Sequence, residues 1–83
     1  MHHLLIYDIT EDKVRNRVAE TCKDYGLVRV QYSSFYGRLP RSRLRDLERA
    51  MVRLLRQGRG NVIIVPVCEA CRTGIVKLDS ETL

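Results

Sequence analysis

Eighty-three residues make one small domain, carrying fifteen Lys and Arg against ten Asp and Glu for a formal net charge of +5. A chain of this size buries only about 60–65% of its unfolded surface, so its core is marginal and self-association would help it. No apolar run approaches the roughly 20 residues that span a bilayer, and strand-like residues begin almost at once in place of a signal peptide, which points to the cytoplasm.

The first predicted strand covers about 2–8, with the apolar run Leu4-Leu5-Ile6-Tyr7 ending on Asp8. A carboxylate at the end of a buried strand is costly unless something there needs the charge. Asp8 therefore reads either as a functional acid or as a local cap for the helix that follows. Thr10 is the expected N-cap, and Glu11 and Asp12 suit the positive end of that helix. Val14, Val18, Cys22 and Tyr25 recur at i, i+4, i+8 and i+11 as one apolar stripe, and Gly26 occupies the usual C′ position. Arg15 and Arg17 fall on either flank of the stripe, where they reach a ligand at the sheet edge or snorkel at its rim.

Residues 27–39 alternate, with Val28, Val30 and Tyr32 on one face and Arg29, Gln31, Ser33 and Phe35 on the other. A face presenting Arg, Gln and Phe is expected to lie open to a partner or a nucleic acid. The stretch accommodates two short strands kinked at Ser33-Ser34, or one long bent strand. Pro40 fits the first turn of a second helix, with Ser42 as a possible cap. Leu44, Leu47, Met51, Leu54 and Leu55 form the buried stripe of that helix. Arg41, Arg45, Arg49, Arg53 and Arg56 recur opposite it, within an arc of roughly 120° at 100° per residue.

The charge is concentrated here. Arg38 to Arg59 holds eight arginines against Asp46 and Glu48, while the rest of the chain has seven basic and eight acidic residues. All the positive excess thus belongs to one segment, and arginine is the side chain best suited to bidentate phosphate contacts. A solvated helix face is the bland reading; a nucleic-acid surface is the favoured one.

After Gly58-Arg59-Gly60, the run Asn61-Val62-Ile63-Ile64-Val65-Pro66-Val67 is an unbroken apolar strand whose proline places it at a strand end or sheet edge. Cys68-Glu69-Ala70-Cys71 has redox or zinc-knuckle spacing without a second pair. Together with Cys22 it makes an odd number of thiols, expected to be packing residues or an adventitious metal clip. His2 and His3 lie too near the terminus to be dependable ligands. A last short strand is expected at Ile75-Val76-Lys77-Leu78 after the turn at Thr73-Gly74. The order β-α-β-β-α-β predicts an α+β, ferredoxin-like sandwich over 1–83, with one sheet face bare and residues 75–79 as an additional C-terminal strand. Homodimerisation is the simplest cover for that face, and the extra strand could join the partner's sheet.

Tyr7-Asp8-Ile9, Arg15-Asn16-Arg17-Val18 and the block from Gly26 to Phe35 closely resemble the CRISPR-associated Cas-two family, small adaptation proteins of prokaryotic immunity. Gly37, Leu39 and the Val-Pro-Val-Cys-Glu run at 65–69 extend the resemblance over essentially the whole chain. It implies a homodimer with exchanged C-terminal strands that bridges the Cas-one integrase and binds the duplex to be inserted. Several members are reported as metal-dependent nucleases on RNA or DNA, and others need no cleavage by this subunit. The metal-binding aspartate of that family carries onto Asp8 and its preceding aromatic onto Tyr7, the two catalytic candidates. Its arginines and second aromatic carry onto Arg15, Arg17, Arg29 and Phe35, which join Arg45, Arg49 and Arg53 of the basic helix as nucleic-acid candidates.

Physical chemistry adds a constraint to this resemblance. Mg²⁺ wants near-octahedral oxygen ligation, and one carboxylate per chain is a poor site. A two-fold axis near Asp8 would supply a second one, with Mg²⁺ (or Mn²⁺) held between the chains. Three functions compete: a dimeric metal-dependent endonuclease, a structural subunit that binds duplex without cutting it, and a toxin-type ribonuclease of similar fold from the virulence-associated-D family.

Overall fold

The computed structural model describes residues 1–82. Four strands and two long helices alternate as β1 (His2–Ile9), α1 (Asp12–Asp24), β2 (Val28–Gln31), β3 (Ser34–Arg38), α2 (Arg41–Leu55) and β4 (Gly60–Val67). A short helix α3 (Glu69–Thr73) and a single 3₁₀ turn (Ser80–Thr82) follow. The sheet order is β2-β3-β1-β4, and its neighbouring strands are all antiparallel. This is the α+β, ferredoxin-like arrangement that the element order predicts. Pro66 sits on β4, an edge strand, where its missing N–H costs no ladder bond on the outer side.

The helices form because their apolar residues fall on one stripe each. Val14, Val18 and Cys22 of α1 and Leu47 and Met51 of α2 are buried together against Leu5, Tyr7, Ile9 and Phe35 of the sheet. Gly26 ends α1 with φ +81°, as expected for a C′ glycine. The N-cap differs from expectation: it is Glu11, and its side chain does not cap the helix. Its carboxylate instead accepts the Arg59 backbone N–H at 2.7 Å, while the Thr10 N–H donates to the Arg59 carbonyl at 3.0 Å. The start of α1 is thereby tied to the turn that leads into β4. That contact, reinforced by the backbone N–H donors, holds the Glu11 carboxyl below the usual carboxylate range.

The alternation expected across 27–39 does not persist. A bulge interrupts the β2–β3 register between Arg29 and Gln31, and Tyr32-Ser33 form the turn. An extra residue in one strand moves everything beyond it to the opposite face. Gln31, beyond the bulge, thereby joins Ile6 and Val30 on the open face, while Phe35 keeps to the face of its partner Arg29; that face is the one turned to the helices, and Phe35 is fully buried opposite Leu5 of β1. The open sheet face is therefore largely apolar, and of the Arg, Gln and Phe expected on it only Gln31 lies there. Leu4, Ile6, Val28, Ile63 and Val65 lie on it, with Val28 67% and Ile63 54% exposed. Apolar area of this kind on a marginal core is the feature of the chain most in need of a cover.

Residues 75–79 form no strand within the single chain. A strand exists only by pairing, and no ladder of this chain's sheet reaches them. Their apolar residues instead border a cleft of about 450 Å³ on the open face, where Ile75 and Val76 approach Leu4, Tyr36, Val67 and Cys71. Ile75, Val76 and Leu78 remain largely exposed.

Candidate functional site at the end of the first strand

Successive residues of a strand point to opposite faces, and this divides the candidate residues at once. Asp8 projects from the open face, exposed, with no hydrogen bond or ion pair among the described residues. Its cross-strand partner on β4 is Asn61. That amide is the polar neighbour closest to Asp8 in the sheet register, and inspection of the sequence did not single it out. Only the β1–β4 pairing brings the two together. Gly60 makes that pairing possible: its φ is +140°, and a Cβ there would lie 1.9 Å from the Asp8 carbonyl oxygen.

Tyr7 faces the other way. It is 3% exposed, stacks on Phe35 with ring centroids 6.3 Å apart, and directs its hydroxyl at the Tyr32 carbonyl at 3.4 Å. Burial pushes its phenol above the ordinary value, with Arg29 opposing the shift. A neutral phenol on the helix side of the sheet does not share a reaction site with Asp8. The placement of Tyr7 as a catalytic group beside Asp8 is thus corrected by the pleat. Phe35 is corrected too, since a ring buried in the core cannot stack on a base. The ring instead supports a cation: the Arg29 guanidinium lies over it, 4.9 Å from its centroid.

The arginines split into three groups. Arg29 donates to the Tyr32 carbonyl, and its guanidinium also lies 6.0 Å from the Tyr32 ring. Arg15 donates to the Ile9 carbonyl at 3.1 Å, pairs with Asp12, and reaches the Tyr32 hydroxyl. Arg15, Arg29 and the 72% exposed Tyr32 therefore form one basic-aromatic cluster at the β2–β3 turn. It stands at the same end of β1 as Asp8 but on the helix side of the sheet. Tyr32 is a second residue that sequence inspection missed. The aromatic between Gln31 and Ser33 was visible, but its meeting with both arginines depends on how the turn is folded.

Arg17 belongs elsewhere, donating to the Gln57 amide oxygen at 3.3 Å across the seam between α1 and α2. Arg45, Arg49 and Arg53 make up the third group, all exposed on the outer face of α2. Arg49 pairs loosely with Asp46 at 3.5 Å. Surface pairs of this kind contribute at most about 1 kcal/mol and leave the cation free to meet a phosphate.

Chemically, one chain offers one free carboxylate, an adjacent amide, a basic-aromatic turn and a basic helix. No group of three His, Cys, Asp or Glu able to hold a metal ion occurs among the described residues. Mg²⁺ is commonly held by one or two carboxylates, completing its shell with water and phosphate oxygens. One Asp8 carboxylate meets the minimum of that requirement, and a second would meet it in full. No helix of the described residues is long and apolar enough to cross a membrane.

Comparison with known proteins draws these features together. The family model described as CRISPR associated protein Cas2 matches residues 1–75. The CRISPR-associated endoribonuclease Cas2 of Desulforudis audaxviator is 48% identical over 69 residues, which cover 83% of this chain and 65% of that protein. The matched part thus spans just under two thirds of that relative. A CRISPR-associated endonuclease Cas1/endonuclease Cas2 fusion from Thermoproteus tenax is 37% identical over 67 residues, 81% of this chain and 25% of the fusion. Among solved structures, Streptococcus pyogenes Cas2 superposes with a TM-score of 0.79 at 21% identity, covering 95% of this chain and 100% of that one. At that identity the likeness speaks to the fold.

Proposed function

Because this chain belongs to the CRISPR-associated Cas2 family, we propose that it is a nucleic-acid-binding homodimer of CRISPR adaptation with a phosphodiesterase centre built on Asp8. The observation that carries the reading is the free, exposed Asp8 at the rim of an apolar, uncovered sheet face. A second copy laid on that face covers Ile6, Ile63 and Val65, and a two-fold axis near the strand end brings two Asp8 carboxylates together. The buried Tyr36 hydroxyl, which has no hydrogen-bond partner among the described residues, also borders the cleft beside this face. Residues 75–79 lie at its margin outside any helix or strand, and their apolar residues suit them to adding a strand to the partner's sheet.

In this arrangement the two Asp8 side chains hold a divalent ion, Mg²⁺ or Mn²⁺. Held there, such an ion would supply a water of lowered pKa and neutralise charge on the scissile phosphate. The protein's own part is positional. Asn61 supplies an amide beside each carboxylate, and Arg15 and Arg29 at the β2–β3 turn receive flanking phosphates. Tyr32 offers an exposed ring for base stacking. The named activity of the D. audaxviator relative supports RNA as the first substrate to try. The T. tenax fusion supports Cas1 as a partner of the dimer.

The decisive experiment compares wild type with Asp8→Ala on labelled RNA and duplex DNA, with Mg²⁺, Mn²⁺ or EDTA. Metal-dependent cleavage lost in Asp8→Ala is the expected result. A second reading is favoured by a separate observation: the densest arginine surface, on α2, lies away from Asp8. There the dimer is a structural subunit that binds duplex along its backbone and leaves the chemistry to a partner. Binding without cleavage in both proteins would establish that alternative.

A further inference from the structure

One chemically distinctive pair is left unused by the nucleic-acid reading. Cys68 closes β4 and precedes α3 with extended backbone at φ −70° and ψ 166°, and Cys71 lies one helical turn later. Both cysteines anchor the turn through their carbonyls: Cys68 accepts the Arg72 N–H at 2.8 Å and Cys71 the Gly74 N–H at 3.1 Å. Residues one helical turn apart place their Cα atoms inside the roughly 4.4–6.8 Å span that a disulfide needs. Cys68 is the N-cap residue of α3 and Cys71 stands on its first turn. Both thiols are exposed, whereas Cys22 is fully buried in the core.

We propose that Cys68 and Cys71 form a thiol–disulfide exchange site whose substrates are low-molecular-weight disulfides such as oxidised glutathione. The Cys68 thiolate attacks one sulfur of the small disulfide, whose S–S bond breaks. The expelled thiolate takes a proton from water, leaving a mixed disulfide on Cys68. Cys71 then gives its proton to water, attacks the Cys68 sulfur and expels the second small thiol. Two electrons and two hydrogens pass from the protein to two glutathione molecules, and the protein keeps one disulfide. The environment assigns the order. The Cys71 N–H and thiol beside it at the start of α3 hold Cys68 below the ordinary thiol value, while the neighbouring Cys68 sulfur holds Cys71 above it. Burial pushes Cys22 up to about 12, which keeps it out of the exchange. The bond would staple the turn from which residues 75–79 depart, since Cys71 borders the same cleft as Ile75 and Val76.

The test is incubation of the native full-length protein with oxidised glutathione, quenching with N-ethylmaleimide, and mass analysis of tryptic peptides. Cleavage after Arg59 and Arg72 releases residues 60–72, which carry both cysteines on one peptide. The expected product is that peptide lighter by two hydrogens and unalkylated, with Cys22 free of glutathione. In Cys71→Ser the reaction should stop at a glutathione adduct on Cys68. That adduct should form several-fold faster than the adduct on Cys71 in Cys68→Ser. A wild-type peptide bearing two maleimides after treatment overturns the proposal, and equal adduct rates in the two variants overturn the assigned order. None of these readouts depends on nuclease activity, so failure here leaves the Asp8 reading untouched, and the converse holds.

Discussion

Replacing Gly60 with alanine probes the register that presents Asp8. Gly60 opens β4 at φ +140°, in a region L side chains rarely adopt, and its missing Cβ would sit 1.9 Å from the Asp8 carbonyl oxygen and 2.8 Å from the Ile9 Cα. Both atoms are backbone, so no side chain can swing aside to relieve the overlap. The conformational penalty alone is about 1–3 kcal/mol. Relieving the overlap means parting β1 from β4 at Asp8–Asn61 and Ile9–Gly60, and each ladder bond lost costs about 0.5–1.5 kcal/mol net. A destabilisation of at least about 2 kcal/mol follows, and at about 4–8 °C per kcal/mol for a domain of this size the Tm should fall by at least about 8 °C. Gly26→Ala is the matched control: its φ is also positive, at +81°, but nothing lies within 4 Å of the added carbon. It should cost only the left-handed strain of about 1–2 kcal/mol. Thermal unfolding followed by circular dichroism, at one fixed protein concentration because association shifts Tm, separates the two. Equal losses in both variants, or a Gly60→Ala loss smaller than that of Gly26→Ala, would refute the close approach of β4 to the Asp8 carbonyl.

Phe35→Ala should cost about 3–5 kcal/mol as a core truncation, whereas Phe35→Leu should keep both the fold and duplex affinity; a stable Phe35→Leu protein that has lost binding would return the ring to the nucleic-acid surface. Changing Arg45, Arg49 and Arg53 together to alanine should flatten the salt dependence of duplex binding by roughly two to three in log–log slope, at about 0.9 per phosphate contact; an unchanged slope in a filter-binding titration removes α2 from the interface. Cys22 ionises near 9.0 when free and at about 12 in the fold. The raised value means that its contribution to stability is complete below about pH 9 and drains away as pH climbs toward 12. Denaturant titrations of wild type and Cys22→Ala over that range should show the steeper alkaline loss in wild type, and parallel curves would contradict it.

The element order, both helix stripes, the C′ role of Gly26 and the edge position of Pro66 were legible in the sequence, because each rests on local periodicity or on the chemistry of one residue type. Membership of the family was legible for a related reason: its motifs are short runs whose identity survives without any knowledge of contacts. Asp8 stood out likewise as a carboxylate closing an apolar strand. What only the tertiary structure decided was which residues stand beside it. The bulge between Arg29 and Gln31 parts those two residues between the faces, and the face that Arg29 shares with Phe35 is the one the helices cover, so Phe35 lies in the core. The pleat turns Tyr7 away from Asp8, and the β1–β4 register brings Asn61 across from it. Arg15 and Arg29 meet at Tyr32, while Arg17 leaves for the helix seam. Residues 75–79 have strand-like composition but find no ladder in their own chain. Apart from the pleat, which is local, these outcomes depend on how separate segments meet, and periodicity along a chain carries no record of which distant residue lies opposite.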